Sequence, residues 1–337
     1  MASVLVFGAG VIGSVYALRL AKAGHEVQLV ARGDRLAALR AGGLEIRNVL
    51  MCDAPEKAPV TVLERVPDGG FYDLSIVAVR SGQVEPALRE VARAKNSGPV
   101  AVIGNNLGDL GAQGAMIGPE RFVAGFGAFG GYREGGAISY VDGRTPKKPY
   151  RRSPTTFGLV SEEARPSLDT ARALFESAGL PTVESPDIRA WLVCHAALVF
   201  PLAGSIYAAG GGQERLGRTN DALRLGIRAA KELFAALRAL GTRLEPPRVG
   251  KLLASPEWLL MGTLRRAFRG EGARVAMFGH ANAPGGRVEL GGQAAILDRI
   301  VRESGRPLPA WDLLLPQLAG TAEPLPDGSR KLRPRLW

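Results

Sequence analysis

Short apolar runs alternate with segments of helical spacing along the first hundred residues. Residues 3–7 (SVLVF), 26–31 (EVQLVA), 74–79 (LSIVAV) and 100–103 (VAVI) are continuously apolar or nearly so, as expected of strands buried on both faces of a parallel sheet. Shorter strands are predicted at 44–49 and 60–63. Residues 14–23, 35–41 and 83–94 space their apolar positions for helices, and Gly24, Gly42 and Gly43 supply the stops after the first two. This alternation predicts a doubly wound α/β sheet. From 122 to 160 strand-like runs follow one another (FVAGFGAF, AISYV, TTFGLV) and are read as hairpins extending that sheet, with 144–153 as a basic loop. Residues 161–178 form a helix that Gly179 ends.

Beyond Pro186 the pattern becomes almost wholly helical, with helices predicted at 187–209, 220–240, 247–254, 257–268 and 290–303. The expected organisation is an α/β domain over 1–185, an all-α domain over 186–320, and a basic, proline-containing tail over 321–337. Trp258, Trp311, Phe234 and Phe268 fall at helical positions, where core or dimer interface is the expectation.

Composition narrows the function. Of 337 residues, 46% are hydrophobic, ordinary for a folded protein and far from the disordered class. Cys52 and Cys194 are too few and too far apart for a disulfide framework or a metal site, so a reducing, cytoplasmic setting is expected. The apolar start lacks a charged leading segment and is read as strand, turn and helix rather than a signal peptide. No later stretch reads as the ~18 apolar residues a membrane span needs. The net charge of +11 favours anionic ligands. Nucleic acid is an unlikely partner: the basic clusters (Arg144, Lys147, Lys148, Arg151, Arg152; and Arg330, Lys331, Arg333, Arg335) lack interleaved stacking aromatics apart from Tyr150.

Chemistry concentrates after the first strand. Gly8, Gly10 and Gly13, with Ala9, Val11 and Ile12 between them, make GxGxxG at the head of a helix. The first glycine permits a tight turn, the second lets a pyrophosphate approach, and the third lets helix and strand pack closely; the helix N-terminus then offers unpaired amides to the phosphates. In that context the motif marks a Rossmann domain. The second strand ends Val30-Ala31-Arg32, placing a cation rather than a carboxylate at the adenosine ribose. A guanidinium suits a 2′-phosphate, so NADP is the expected coenzyme, with Asp34 read as a helix cap.

With those residues in hand, the chain resembles the ketopantoate reductase family. The stretch GAGVIGSVYALRLAKAGHEVQLVARGDRLAALRAGGL is similar to that family's opening, VAVRSGQVEPAL to its fourth-strand segment, and IGNNLGD to its asparagine turn. The resemblance covers 1 to about 185 well and the helical half in outline. It implies an NADPH-dependent reductase of a small 2-oxo acid with a helical C-terminal domain of the hydroxyacid-dehydrogenase type. It also implies that Arg80 stands where the family has a lysine near the coenzyme, and that Asn105 faces the nicotinamide ribose and substrate. The family's catalytic helix carries Trp-x-Lys followed by asparagines at four-residue steps. Here that stretch is DIRAWLVCHAALVFPL; anchored on Trp191, the lysine slot is Val193 and the asparagine slots are Ala197 and Pro201.

Other groups therefore become candidates. His195 lies on an otherwise apolar helix expected to line an interdomain cleft, where it would serve as acid/base group; a core histidine bonded to a carbonyl is the competing reading. Glu289 falls where the family has a glutamate that contacts coenzyme and substrate, or is a solvated helix-start residue. His280 and Asn282 precede it, and His25 is read as structural. The expectation is a reductase of a small 2-oxo acid, ketone or imine, active as a homodimer, with His195, Glu289 and Asn105 in the chemistry. The alternative is a non-catalytic NADP(H)-binding sensor or interaction protein.

Overall fold

The computed structural model describes residues 1–51, 54–94, 98–127, 129–134, 136–283 and 285–332, with the His280 side chain also outside the description. Cys52 and the basic residues Arg333 and Arg335 lie outside the described residues. The chain divides into two compact units, Met1–Ile188 and Arg189–Trp337.

The first unit runs β1 (Ser3–Phe7), α1 (Val11–Lys22), β2 (Glu26–Val30), α2 (Gly33–Gly42), β3 (Leu44–Asn48), β4 (Glu56–Ala58), β5 (Thr61–Leu63), β6 (Leu74–Val77), α3 (Val84–Val91) and β7 (Val100–Ile103). It continues with α4 (Leu110–Ala115), β8 (Phe122–Phe126), β9 (Gly130–Glu134), β10 (Ala137–Val141), β11 (Thr155–Leu159), α5 (Arg165–Ser177) and β12 (Thr182–Glu184). The main sheet has eight strands in the order β12-β11-β8-β7-β6-β1-β2-β5. The six from β8 to β5 are parallel, and β11 joins antiparallel to β8 with β12 parallel beside it. The α/β expectation for this part is met.

The hairpin β9–β10 departs from expectation. It leaves the main sheet and forms a second one, β4-β3-β10-β9, with β10 parallel to β3. The reason lies in α1, which is apolar nearly all round and buries every residue from Gly13 to Leu20. One sheet covers only one face of such a helix. Leu44, Ile46, Ile138 and Tyr140 of the second sheet join α1 in the buried core. Arg19 on α1 makes two bonds to the Glu56 carboxylate on β4, one at 2.8 Å, and donates to the Tyr140 hydroxyl at 2.6 Å. In the basic loop Lys147, Lys148, Tyr150 and Arg151 are exposed, while Arg144 is buried with its Nε 2.8 Å from Asp142 and Arg152 donates to the Gly179 carbonyl.

The second unit is helical: α6 (Ile188–Ala208, its first residue in the other unit), α7 (Gln213–Arg218), α8 (Asn220–Ala239), α9 (Pro247–Leu253), α10 (Glu257–Phe268), α11 (Glu271–Ala273), a π-helical stretch Arg274–Gly279, α12 (His280–Asn282), α13 (Gly286–Arg302) and α14 (Pro309–Ala319). Helix α14 lies beyond the helices predicted from sequence; Pro309 opens it, where its missing amide costs nothing. Trp311 is fully buried and its indole donates to Asp298, while Glu232 accepts the Ala310 and Trp311 amides and so caps α14. Phe234 and Phe268 are buried, but Trp258 is 73% exposed.

Two readings need correction. Helix α6 is long and apolar enough to cross a membrane by length and composition, although 67% of its apolar window is buried here. The segment 321–332 is no free tail: Asp221 accepts the Lys331 and Leu332 amides, Arg218 pairs with Asp327, and Arg215 donates to the Leu325 carbonyl.

Candidate functional site

The turn between β1 and α1 is shaped by what a side chain would meet there. Gly8 has φ +111°, and a Cβ on it would lie 2.4 Å from the Ala78 carbonyl at the end of β6. A Cβ on Gly13 would lie 1.9 Å from the Gly8 carbonyl oxygen, so helix and turn could not close together. Gly10 is different: its φ of −75° suits any residue, and a Cβ there meets nothing within 4 Å. Two glycines are thus required by the fold, and the middle one faces open space. It caps α1, whose first intrahelical bond runs from the Ser14 amide to the Gly10 carbonyl, leaving the Val11, Ile12 and Gly13 amides for an anion. The shape and polarity of this turn fit a dinucleotide pyrophosphate.

The remaining candidates in this unit follow neighbouring parallel strands. In sheet order, Asn105 follows β7, Arg80 follows β6, the glycine turn follows β1 and Arg32 follows β2. All lie off the carboxyl edge, where open α/β sheets bind ligands. Arg32 is the N-cap of α2, lies 5.5 Å from the Phe7 ring centroid and ion-pairs with Glu90. Arg80 is exposed. Asn105 is half-buried, and among the described residues its amide has no hydrogen-bond partner. Its neighbour Asn106 is buried and locked to Gln113 by reciprocal amide bonds of 2.7 and 3.3 Å, which fixes the turn that presents Asn105.

Two residues here were missed from sequence. Glu90 sits in α3 as one of many surface-patterned charges. Arg35 read as an ordinary helix arginine, yet it is buried and donates to the Ala9 carbonyl of the glycine turn. A second arginine three positions after Arg32 was the available signal.

In the helical unit, the ring of His195 stacks on that of Trp191, with centroids 5.2 Å apart and planes 5° from parallel. Burial pushes the imidazole pKa down to about 4, so the ring is neutral at pH 7. Val193 is half-buried, whereas Ala197 and Pro201 are buried. Glu289 lies in the first turn of α13, half-buried. Asn282 donates to the Gly211 carbonyl and, with Tyr207, Gly210, Gly211, Arg287 and Val288, lines a groove of about 360 Å³. His195 and Glu289 are not among its walls. Cys194 is buried, and no cluster of three or more metal-ligating side chains occurs among the described residues. His25 bonds to the Ser177 hydroxyl and accepts from the Ala2 amide, a structural role as expected.

The comparisons agree on the class. The family model described as ketopantoate reductase PanE/ApbA matches residues 4–147. A 2-dehydropantoate 2-reductase of Pyrococcus abyssi is 27% identical over 191 residues, covering 56% of this chain and 58% of that protein. The chain therefore matches little more than half the length of that curated relative. A structure of 2-dehydropantoate 2-reductase from Geobacter metallireducens superposes with a TM-score of 0.73 at 15% identity, covering 95% of this chain and all of the other. A ternary structure of D-mandelate dehydrogenase with NADH and anilino(oxo)acetate gives 0.72 at 16% identity, over 95% of this chain and 97% of that one. Such distant structures establish the fold. The chain is thus similar to ketopantoate reductases in sequence over part of its first unit and in fold along nearly its whole length.

Proposed function

We propose that the chain is an NADP(H)-dependent reductase of a small 2-oxo acid, ketone or imine. The observation that carries this reading is the contrast within the turn, where Gly8 and Gly13 have no room for a side chain and Gly10 faces empty space. Gly8 to Gly13 would hold the pyrophosphate, Arg32 the 2′-phosphate once Glu90 yields, and Asn105 the nicotinamide end. When bound, the nicotinamide supplies a hydride for a prochiral sp² carbon. Arg80 and the positive net charge favour a carboxylated substrate.

The substrate side falls to the helical unit. A neutral His195 cannot deliver a proton as imidazolium at pH 7, but its N–H can donate a hydrogen bond to a developing oxyanion. The proton that the resulting alkoxide takes up then comes from water, and Glu289 is assigned to contact coenzyme and substrate. A panel of ketopantoate, other 2-oxo acids and cyclic imines, followed by NADPH oxidation, tests the reading. Turnover of at least one, reduced on the order of a hundredfold in His195→Ala or Glu289→Ala, is expected. Tight NADPH binding without turnover of any of them would move the assignment to the second reading, a non-catalytic NADP(H)-binding protein. The apolar Val193, Ala197 and Pro201 in α6, where the family has lysine and asparagine, are what favour it.

A further inference from the structure

Two arginines of the first unit are about equally buried and very differently matched. Arg19, 7% exposed, has a bidentate carboxylate partner in Glu56. Arg35, also 7% exposed, has none. Its Nε donates to the Ala9 carbonyl at 3.0 Å, Nη1 to the Gly136 carbonyl at 2.7 Å and Nη2 to the Ser14 hydroxyl at 3.3 Å. All three acceptors are neutral, and no carboxylate pairs with it among the described residues. Burial, together with Arg133, pulls the guanidinium pKa down to about 10. A buried cation satisfied only by neutral acceptors costs folding free energy that an opposite charge would offset.

The position of those acceptors says which charge. Ala9 lies between Gly8 and Gly10, and Ser14 is the residue whose amide closes the first turn of α1. The Ser14 hydroxyl itself donates to the Ala9 carbonyl, so Arg35 and Ser14 converge on one oxygen of the turn. The guanidinium is thus fixed behind the same loop whose front, at Gly10, is open.

We propose that Arg35 is a positioning residue of the coenzyme site, a fixed positive charge behind the glycine turn whose counter-charge is the pyrophosphate of the bound dinucleotide. The inference rests on the reading of the turn as the coenzyme site. It divides the cationic work in two. Arg32 is half exposed, has its own carboxylate in Glu90, and acts only on ligands that carry a 2′-phosphate. Arg35 acts on every ligand that carries the pyrophosphate, whichever coenzyme it belongs to.

Calorimetric titration of the full chain with ADP-ribose, NADH, NADPH and adenosine tests this, using the parent, Arg35→Gln and Arg35→Lys. Circular dichroism and melting temperature without ligand verify the fold. The expected result is a loss of about tenfold or more in affinity for the three pyrophosphate ligands in Arg35→Gln, of similar size for each. Adenosine binding stays unchanged, and the salt dependence of ADP-ribose binding becomes shallower. Arg35→Lys, which keeps the charge while giving up acceptors, should stay within about threefold of the parent. Parent-like ADP-ribose affinity in folded Arg35→Gln overturns the proposal, as does an equally large loss in folded Arg35→Lys. If the parent itself binds none of the pyrophosphate ligands, the coenzyme reading fails first and carries this inference with it.

Discussion

The glycine turn of the first unit and helix α6 of the second constrain sequence in opposite ways. At the turn, the backbone itself selects the residue: the Gly8 carbonyl leaves no space for a Cβ on Gly13, and Ala78 leaves none on Gly8. Along α6, apart from Gly204, where a Cβ would lie 2.6 Å from Leu314, the helix asks for apolar bulk, and residues of suitable size meet that demand. Side chains such as Val193 and Ala197 can therefore change on α6 without harm to the fold. The turn cannot drift in this way.

The comparison is sharpest at two glycines of one motif. Gly13→Ala forces a Cβ into the Gly8 carbonyl, and a stability loss on the order of 3 kcal/mol or more is expected in denaturant unfolding. Gly10→Ala meets nothing, so stability should stay within about 1 kcal/mol of the parent while coenzyme affinity falls. Equal damage to the fold from both changes would break the distinction between a structural glycine and a ligand-facing one.

A smaller effect is expected where the second sheet clasps α1. Burial alone would raise the Glu56 pKa, but hydrogen bonds from Arg19 and Lys22 prevail and hold the carboxyl at about 2, below its ordinary 4.5. Its stabilisation is therefore complete above pH 4.5 and lost as pH falls through about 2. Glu56→Gln should cost about 1–2 kcal/mol at pH 7, after allowing for solvent screening of a partly exposed pair, and should flatten the acid limb of the stability curve.

A change confined to mildly acid pH is predicted on α6. The His195 pKa is lowered to about 4 from 6.5, so the unfolded chain binds the proton more readily than the folded one. Stability from the neutral ring is present above pH 6.5 and drains away as pH falls towards 4. His195→Phe keeps a ring against Trp191 and should remove that slope from melting temperatures taken across this window. A slope that persists would place its origin elsewhere.

How far the sequence carried can be judged residue by residue. The buried strands β1, β2, β6 and β7 and the turn after β1 were evident because periodicity and glycine spacing are local properties. The separate sheet of β9 and β10 was not, since strand runs show that strands exist and not which helix face needs covering. Helix α14 was missed, since Glu232 and Asp298, which hold its first amides and its Trp311 indole, lie elsewhere in the chain. Arg35 and Glu90 were invisible as site residues for the same reason: each looks like a solvated helix charge until its tertiary partner, Ala9 or Arg32, is known.

One titration tests the coenzyme site most directly: NADPH and NADH added in turn to the parent chain and to Gly10→Ala, followed by heat release. Saturable binding to the parent, tighter for NADPH and weakened about tenfold or more by the single methyl group, is the predicted result. No binding of either coenzyme to the folded parent, or undiminished binding to Gly10→Ala, would contradict it.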